Sequence, residues 1–338
     1  MSSPLWITEA EVVATLDLNG AIGALEAGLR LEAAGDAKNM QKTVASWGDG
    51  DTLHAIGAVV PGRGVVGTKT WAHTEGGATP LLILYNAHDG SLLAIVEAFA
   101  LGQLRTGAMS GIATKHLAAA DARELAIIGT GKQSFAQVAA VAAVRPLERV
   151  CVFSPAADHR RAFANRLRET FSFEVIEAAC VADAVANARI VTLATRATAP
   201  FLHATDLARG THVNAVGAIV PARAEFAQDL FDRAAVVAVD SKDSVAKLSR
   251  EFGERFGPPE AAGWQYVQPI SALVAAGITR PAGADLTLFK AMGMGISDLA
   301  LGLEILDAAR TRGLGRPLEA PRRAPISFTP SNAPVTAR

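Results

Sequence analysis

The sequence predicts an α/β protein in which a doubly wound parallel sheet sits beside a smaller α+β body. Three observations predict it. From Glu124 onward, apolar runs of strand length alternate with segments of helical period, the pattern of successive βαβ units. The first of these runs, "ELAII", breaks into "GTGKQS" directly before a helical pattern. With 338 residues, half of them apolar, the chain has the material for a large core and two domains.

In chain order, residues 1–117 mix a leading helix, short strands in "HAIGAVV", "GVVGTKTW" and "LLILYN", and a helix over 101–118. Six strands follow in "LAIIG", "RVCVF", "FEVIE", "RIVTLAT", "THVNAVG" and "AAVVAVD", with helices over 133–144, 158–169 and 223–232 between them. They define a doubly wound domain over 118–294. Helical periodicity over 297–312 follows "LFKAMGMGIS", and this helix is expected to return to the first body, making that domain discontinuous (1–117 with 295–315). Residues 316–338 carry five prolines and little apolar content and read as an extended tail.

Composition excludes several classes of partner. Lys+Arg (32) balance Asp+Glu (33), so there is no basic field for nucleic acid. The N-terminus lacks a basic segment followed by a long apolar run, and no apolar stretch reaches about 18 residues, so neither a membrane span nor processing is expected. The two cysteines, Cys151 and Cys180, lie in apolar runs without metal-ligand spacing. They read as buried thiols of a cytoplasmic protein, with no metal site.

The glycines of "GTGKQS" have a physical purpose. A strand that turns at once into a helix needs residues without Cβ where the backbone bends and where a ligand approaches it. The free amides and positive dipole end of the new helix then suit a pyrophosphate. Gly129, Thr130, Gly131, Lys132 and Gln133 are therefore candidate contacts of a dinucleotide on a Rossmann sheet, with Ser134 where a third Gly or Ala is usual. A plain tight turn is the alternative for the glycine pair taken alone. Where NAD-binding folds place an acidic residue for the ribose, the chain has Ser154, and Asp158 falls on the next helix. With no carboxylate to repel a 2′-phosphate, and with Ser154, His159, Arg160 and Arg161 nearby, NADPH is favoured over NADH; a solvated helix face is the plain alternative for the two arginines. Thr195, and Asn214, Val216 and Gly217 of "NAVG", fall at later strand ends, where such sheets place ligands.

Taken together, "GTKTW", "LRTGAMSGIATKHLA", "AIIGTGKQS", "THVNAVGA", "VVAVDS" and "TLFKAMGMGISDLALG" resemble the ornithine cyclodeaminase/mu-crystallin family, in the same order and over roughly residues 35 to 310. The resemblance implies a homodimer with a substrate-binding and dimerisation domain beside a nicotinamide-binding Rossmann domain. It implies that Lys69 holds the substrate carboxylate and carries the catalysis, and that Arg105 lies near both cofactor phosphates and substrate. It also implies a nucleotide contact at Thr79, a cofactor contact at Ala291 and a substrate contact at Met292. Buried charge supports the first of these, because a lysine drawn inward after "RGVVGT" requires an anionic partner.

Two positions depart from the family pattern. Cyclodeaminases carry an aspartate just after "NAVG"; here Ile219 stands there and cannot transfer a proton. Upstream, the family often has an arginine in a "PR" pair, whereas "NMQKTV" offers Lys42, a charge without a bidentate fork. The expected activity is therefore NAD(P)H-dependent reduction of a cyclic ketimine, 1-pyrroline-2-carboxylate or 1-piperideine-2-carboxylate, to proline or pipecolate. The substrate side would be Lys42, Lys69, Arg105 and Met292, with His73 the nearest proton carrier. Ornithine cyclodeaminase, alanine or opine-type dehydrogenase, and a non-catalytic NADP-binding protein are the alternatives.

Overall fold

The computed structural model describes residues 3–48 and 50–326. The first part of the chain forms strand β1 (Leu5–Ile7), helices α1 (Glu9–Thr15) and α2 (Leu18–Ala34), then β2 (Lys38–Asn39), β3 (Thr43–Trp47), β4 (Asp51–Val60), β5 (Val65–Thr74), β6 (Gly77–Ala78), β7 (Leu81–Asn86), β8 (Leu92–Glu97) and helix α3 (Phe99–Leu117). Polar side chains start the first two helices: Thr8 and Glu11 form a reciprocal capping box on α1, and Asp17 accepts from Gly20 N at 2.7 Å on α2.

The second part runs β9 (Glu124–Ile128), α4 (Ser134–Val144), β10 (Arg149–Phe153), α5 (Ala157–Thr170), β11 (Glu174–Glu177), α6 (Val181–Val185), β12 (Ile190–Leu193), β13 (Thr211–Ala215), α7 (Asp229–Arg233), β14 (Ala234–Val239), α8 (Lys242–Leu248), α9 (Arg250–Phe256), β15 (Val267–Pro269), α10 (Ile270–Ala275) and β16 (Leu286–Lys290). Helix α11 (Gly295–Arg312) then lies against α2, β4 and β5 of the first part, and β17 (Arg316–Pro317) pairs antiparallel with β1. Residues 316 and 317 thus close a sheet edge where the sequence suggested only an extended tail. Residues 327–338 of that tail lie outside the described residues.

Two sheets result. The first, in order β17-β1-β8-β7-β5-β4-β2, is antiparallel apart from the β1/β8 pair, with β3 and β6 paired to β4 and β5. The second is fully parallel, in order β11-β10-β9-β12-β13-β16-β14-β15. Strand order reverses between β9 and β12, and a ligand crevice belongs at the carboxyl ends of strands at such a switch point.

Three expectations are corrected. The parallel sheet has eight strands where six were expected, because β15 and β16 were not recognised. β16 inserts between β13 and β14, and its five residues merge in sequence with the Gly-rich run that follows. The helix expected over 223–232 shrinks to α7, because residues 223–228 stay irregular, with Phe226 bridging Leu202 and Glu225 turned inward. The thiols are also less buried than expected: Cys151 is half-buried and Cys180 is exposed, capping α6 through an Asp183 N–H···S contact of 3.4 Å. No single helix among the described residues is long and apolar enough to cross a membrane.

Candidate active site

At the switch point a cleft of about 780 Å³ opens over the carboxyl ends of β9, β10, β12 and β13. The two glycines of the turn after β9 do different things. Gly129 has φ +106°, and a Cβ there would lie 2.5 Å from Ala194 O, so it allows β9 and β12 to end in contact. Gly131 has nothing within 4 Å of its Cβ position, so its face is open to the cleft. Ser134 opens α4 and is buried, its hydroxyl without a partner. Close packing on this helix comes instead from α3, where a Cβ on Gly107 would lie 2.7 Å from Ala136 O.

Thr130, Lys132, Gln133, Ser154, Thr195, Val216 and Gly217 also line this cleft, as do His159 and Ile219. Arg160 does not: its guanidinium donates to Ser154 O at 2.6 Å and lies 5.8 Å from the Phe153 ring centroid, bracing the wall from behind. Asn214 is turned away as well. Its amide nitrogen donates to Thr114 Oγ1 at 3.0 Å and its Oδ1 accepts from His212 Nε2 at 3.1 Å, in a buried network that joins β13 to α3. Burial in that network brings His212 down to about 3, so it stays neutral. Ala291 is buried, and its N–H donates to Ala215 O at 3.2 Å. Thr79 is exposed beside β6 and lines neither this cleft nor the cavity described next.

A second cavity, about 240 Å³, lies between the two sheets and is lined by Asn39, Gln41, Lys42, Ile56, Ser241 and the Gly293–Met294–Gly295 run, among others. Around it gathers a charged cluster built from five distant segments. Lys69, opposite Ile56 on β5, is 4% exposed, and its ammonium donates to Asp298 of α11, which is 1% exposed. Arg105 of α3 reaches the same carboxylate oxygen at 3.4 Å, and its guanidinium would lie 3.0 Å from a Cβ on Gly293. The other oxygen, Asp298 Oδ2, is buried without a hydrogen-bond partner.

Burial pushes Lys69 down to about 8, with Asp298 opposing that shift and Arg105 adding to it. Burial and Arg105 also lower Lys42, against the pull of Asp240 and Asp298. Asp240, just beyond β14, is raised by burial, while three N–H groups (Met292 at 2.9 Å, Gly293 at 2.6 Å, Ser241 at 2.7 Å) draw it the other way. Lys69 and Arg105 thus share one carboxylate, Asp298, while Lys42 lines the cavity beside them with no carboxylate in ion-pair reach among the described residues. Met292 itself is buried in the core under the cleft, and its backbone N–H serves Asp240. His73 is exposed on β5 opposite Thr52 and lines neither cavity.

Asp298 was missed in the sequence, although a signal existed. An aspartate inside the apolar helical run "GISDLALG" must be paired if that face is buried. Glu225, also missed, gave no such signal because its surroundings read as a surface helix.

The family model for the ornithine cyclodeaminase/mu-crystallin family matches residues 4–313. A Δ1-pyrroline-2-carboxylate reductase of Bacillus cereus is 31% identical over 276 residues, 79% of this chain and 81% of that one. The ketimine reductase mu-crystallin of Mus musculus is 28% identical, covering 67% of this chain and 68% of its own. Among solved structures, Thermococcus litoralis Δ1-pyrroline-2-carboxylate reductase in complex with NADH and L-proline superposes with a TM-score of 0.86 at 23% identity, over 93% of this chain and 100% of that one.

Proposed function

Because the chain belongs to the ornithine cyclodeaminase/mu-crystallin family, we propose that it is an NAD(P)H-dependent reductase of a cyclic ketimine carrying a carboxylate on the imine carbon, 1-pyrroline-2-carboxylate or 1-piperideine-2-carboxylate, and that it yields proline or pipecolate. The observation that carries this reading is the pairing of the Lys69 and Arg105 cations, gathered beside the Lys42-lined cavity, with a cleft wall that has Ile219 in place of an acid. The first can hold a carboxylate. The second offers no carboxylate for deaminating chemistry.

The residues present fit a nicotinamide dinucleotide. The open face of Gly131 and the start of α4 suit the pyrophosphate, while Ser154 and His159 face the cleft where a 2′-phosphate would need donors in place of a carboxylate. This supports a preference for NADPH, with NADH as the other candidate. When bound, the nicotinamide supplies the hydride.

The chain's own part is positioning and charge. Lys69 and Arg105, with Lys42 at the cavity, fix the substrate carboxylate, and Lys69 is protonated at neutral pH because its value stays near 8. Asp298 holds both cations in place. A protonated imine is already electrophilic, so Ile219 costs the reaction nothing. In this reading residues 1–117 with 295–315 form the substrate-binding and dimerisation domain, and 118–294 the cofactor domain. The exposed Trp47 and Leu53, which the β3–β4 register places on one face of that edge, supply an apolar patch for a second copy.

The test is loss of NADPH or NADH absorbance with cyclic imines, with 2-oxo acids plus amines, and with ornithine plus the oxidised cofactor. Reduction of a cyclic ketimine without ammonia release from ornithine is expected. Robust ammonia release would overturn the proposal.

A further inference from the structure

We propose that Glu225 is the positioning residue of the large cleft: its carboxylate ties together the loops after β12 and β13, and so sets the cleft wall formed by Thr195 and Gly217. The proposal rests on the cleft being the dinucleotide site.

Glu225 is fully buried and does not line the cleft. Its Oε1 accepts from Thr195 N at 2.7 Å and Thr195 Oγ1 at 2.8 Å, and its Oε2 accepts from Gly217 N at 2.9 Å and Ala218 N at 3.0 Å. Four donors fill the lone-pair positions of one carboxylate. The three amides lie just past the last paired residues of β12 and β13, Leu193 and Ala215, where the ladder no longer supplies carbonyls. Without Glu225 they would be unsatisfied donors at the edge of the core, which the chain cannot leave unpaired at low cost.

The clamp also explains the glycine in "NAVG". A Cβ on Gly217 would collide with both Thr195 and the Glu225 carboxylate, so the two loops meet only because this position has no side chain. Glu225 is itself anchored. Its carbonyl accepts from Phe201 N at 3.1 Å and Leu202 N at 3.2 Å, and its N–H donates to Glu251 Oε1 at 3.1 Å. Glu251 in turn accepts from Ser249 Oγ at 2.7 Å and faces Lys290 Nζ at 3.5 Å. A buried polar chain therefore runs from β16 to the cleft wall, and every link in it is rigid backbone or a buried side chain.

In Glu225→Gln an amide NH₂ must point either at Thr195 N and Oγ1 or at the Gly217 and Ala218 amides, so one loop loses its acceptor. Two readouts are taken: hydrogen exchange of the Thr195, Gly217 and Ala218 amides in the cofactor-free protein, and calorimetric titration with NADPH and NADH. Exchange at these amides should rise, and the dissociation constant should increase about tenfold or more, the scale expected when a binding wall shifts by a fraction of an ångström. The KM for the imine at saturating cofactor should change less than about threefold, because the substrate cations sit on other elements.

Glu225→Asp provides a second variant. It keeps the carboxylate but is one methylene shorter, so it should release one loop only, with a smaller loss of affinity. Unchanged exchange in a folded Glu225→Gln protein would overturn the proposal, as would loosened loops with unchanged dinucleotide affinity. Failure of both variants to fold would make Glu225 a stability residue and equally end the positioning role. If the wild-type protein bound neither dinucleotide, the assignment of the cleft itself would fall, and this inference with it.

Discussion

Replacing Lys69 with methionine tests the charged cluster directly, because methionine keeps most of the side-chain volume and removes the ammonium. Lys69 and Asp298 are both almost wholly buried, so the substitution strands a carboxylate whose remaining cation, Arg105, lies 3.4 Å away. Breaking a buried pair costs roughly 3 to 5 kcal/mol, but Arg105 remains and the buried ammonium was itself disfavoured, so we expect a stability loss of about 1 to 3 kcal/mol. The functional loss is separate. Removing one partner from a desolvated charge contact with the substrate carboxylate should cost about 2 to 4 kcal/mol of transition-state stabilisation, or a fall in kcat/KM of roughly 30- to 900-fold.

The assay is initial rate against the cyclic imine, with cofactor titration and urea unfolding as controls. Cofactor affinity should barely move. The double variant Lys69→Met/Asp298→Asn removes both buried charges and should recover stability without recovering activity. In the wild type, kcat/KM should decline above about pH 8 as Lys69 loses its proton, since this parameter reports the free enzyme. A folded Lys69→Met protein with kcat/KM within about threefold of wild type, or a double variant with restored activity, would refute the assignment of the carboxylate to Lys69.

Further outcomes can be checked around both cavities. Gly131→Val should fold and lose dinucleotide binding, because its side chain would enter open cleft, whereas Gly129→Ala, at φ +106° and against Ala194 O, should lose roughly 1 to 3 kcal/mol of stability in denaturant titration. Ser154→Asp should shift the ratio of kcat/KM toward NADH, since the new carboxylate repels a 2′-phosphate and accepts from ribose hydroxyls; an unchanged ratio would place that phosphate elsewhere. Glu32, whose Oε1 accepts from Asn39 at 2.8 Å, is raised from 4.5 to about 7 by burial, with nearby Asp240 adding to the rise. Between those values the folded chain binds more protons than the unfolded one, so stability falls as pH rises from about 4.5 to 7. Glu32→Gln should therefore be more stable than wild type at pH 8, by roughly 1 to 3 kcal/mol, and similar to it at pH 4; chemical denaturation at the two pH values decides this.

Local pattern alone determined much of this protein. Four of the eight parallel strands, β9, β10, β12 and β14, are short, mostly apolar runs, and such runs announce themselves because both faces of a parallel strand are covered, whereas β11 and β13 were legible from the alternation of strand and helix. The turn at Gly129 and Gly131 was legible for a similar reason: what it needs, a missing Cβ, is a property of single residues. Lys69 and Arg105 were found through the motifs around them. Only the tertiary structure decided who meets whom. Lys69, Arg105 and Asp298 come from β5, α3 and α11, separated by up to 229 residues, and nothing local encodes that convergence. The same holds for Arg160 and Asn214, whose identities suggested ligand contacts but whose side chains are committed to Ser154 O and to the buried β13–α3 network. Glu225 is the clearest case. Its sequence neighbourhood suits a helix, yet four donors from two other strand ends outweigh one short segment's helical preference, because propensity is worth tenths of a kcal/mol per residue and each buried unpaired amide costs more.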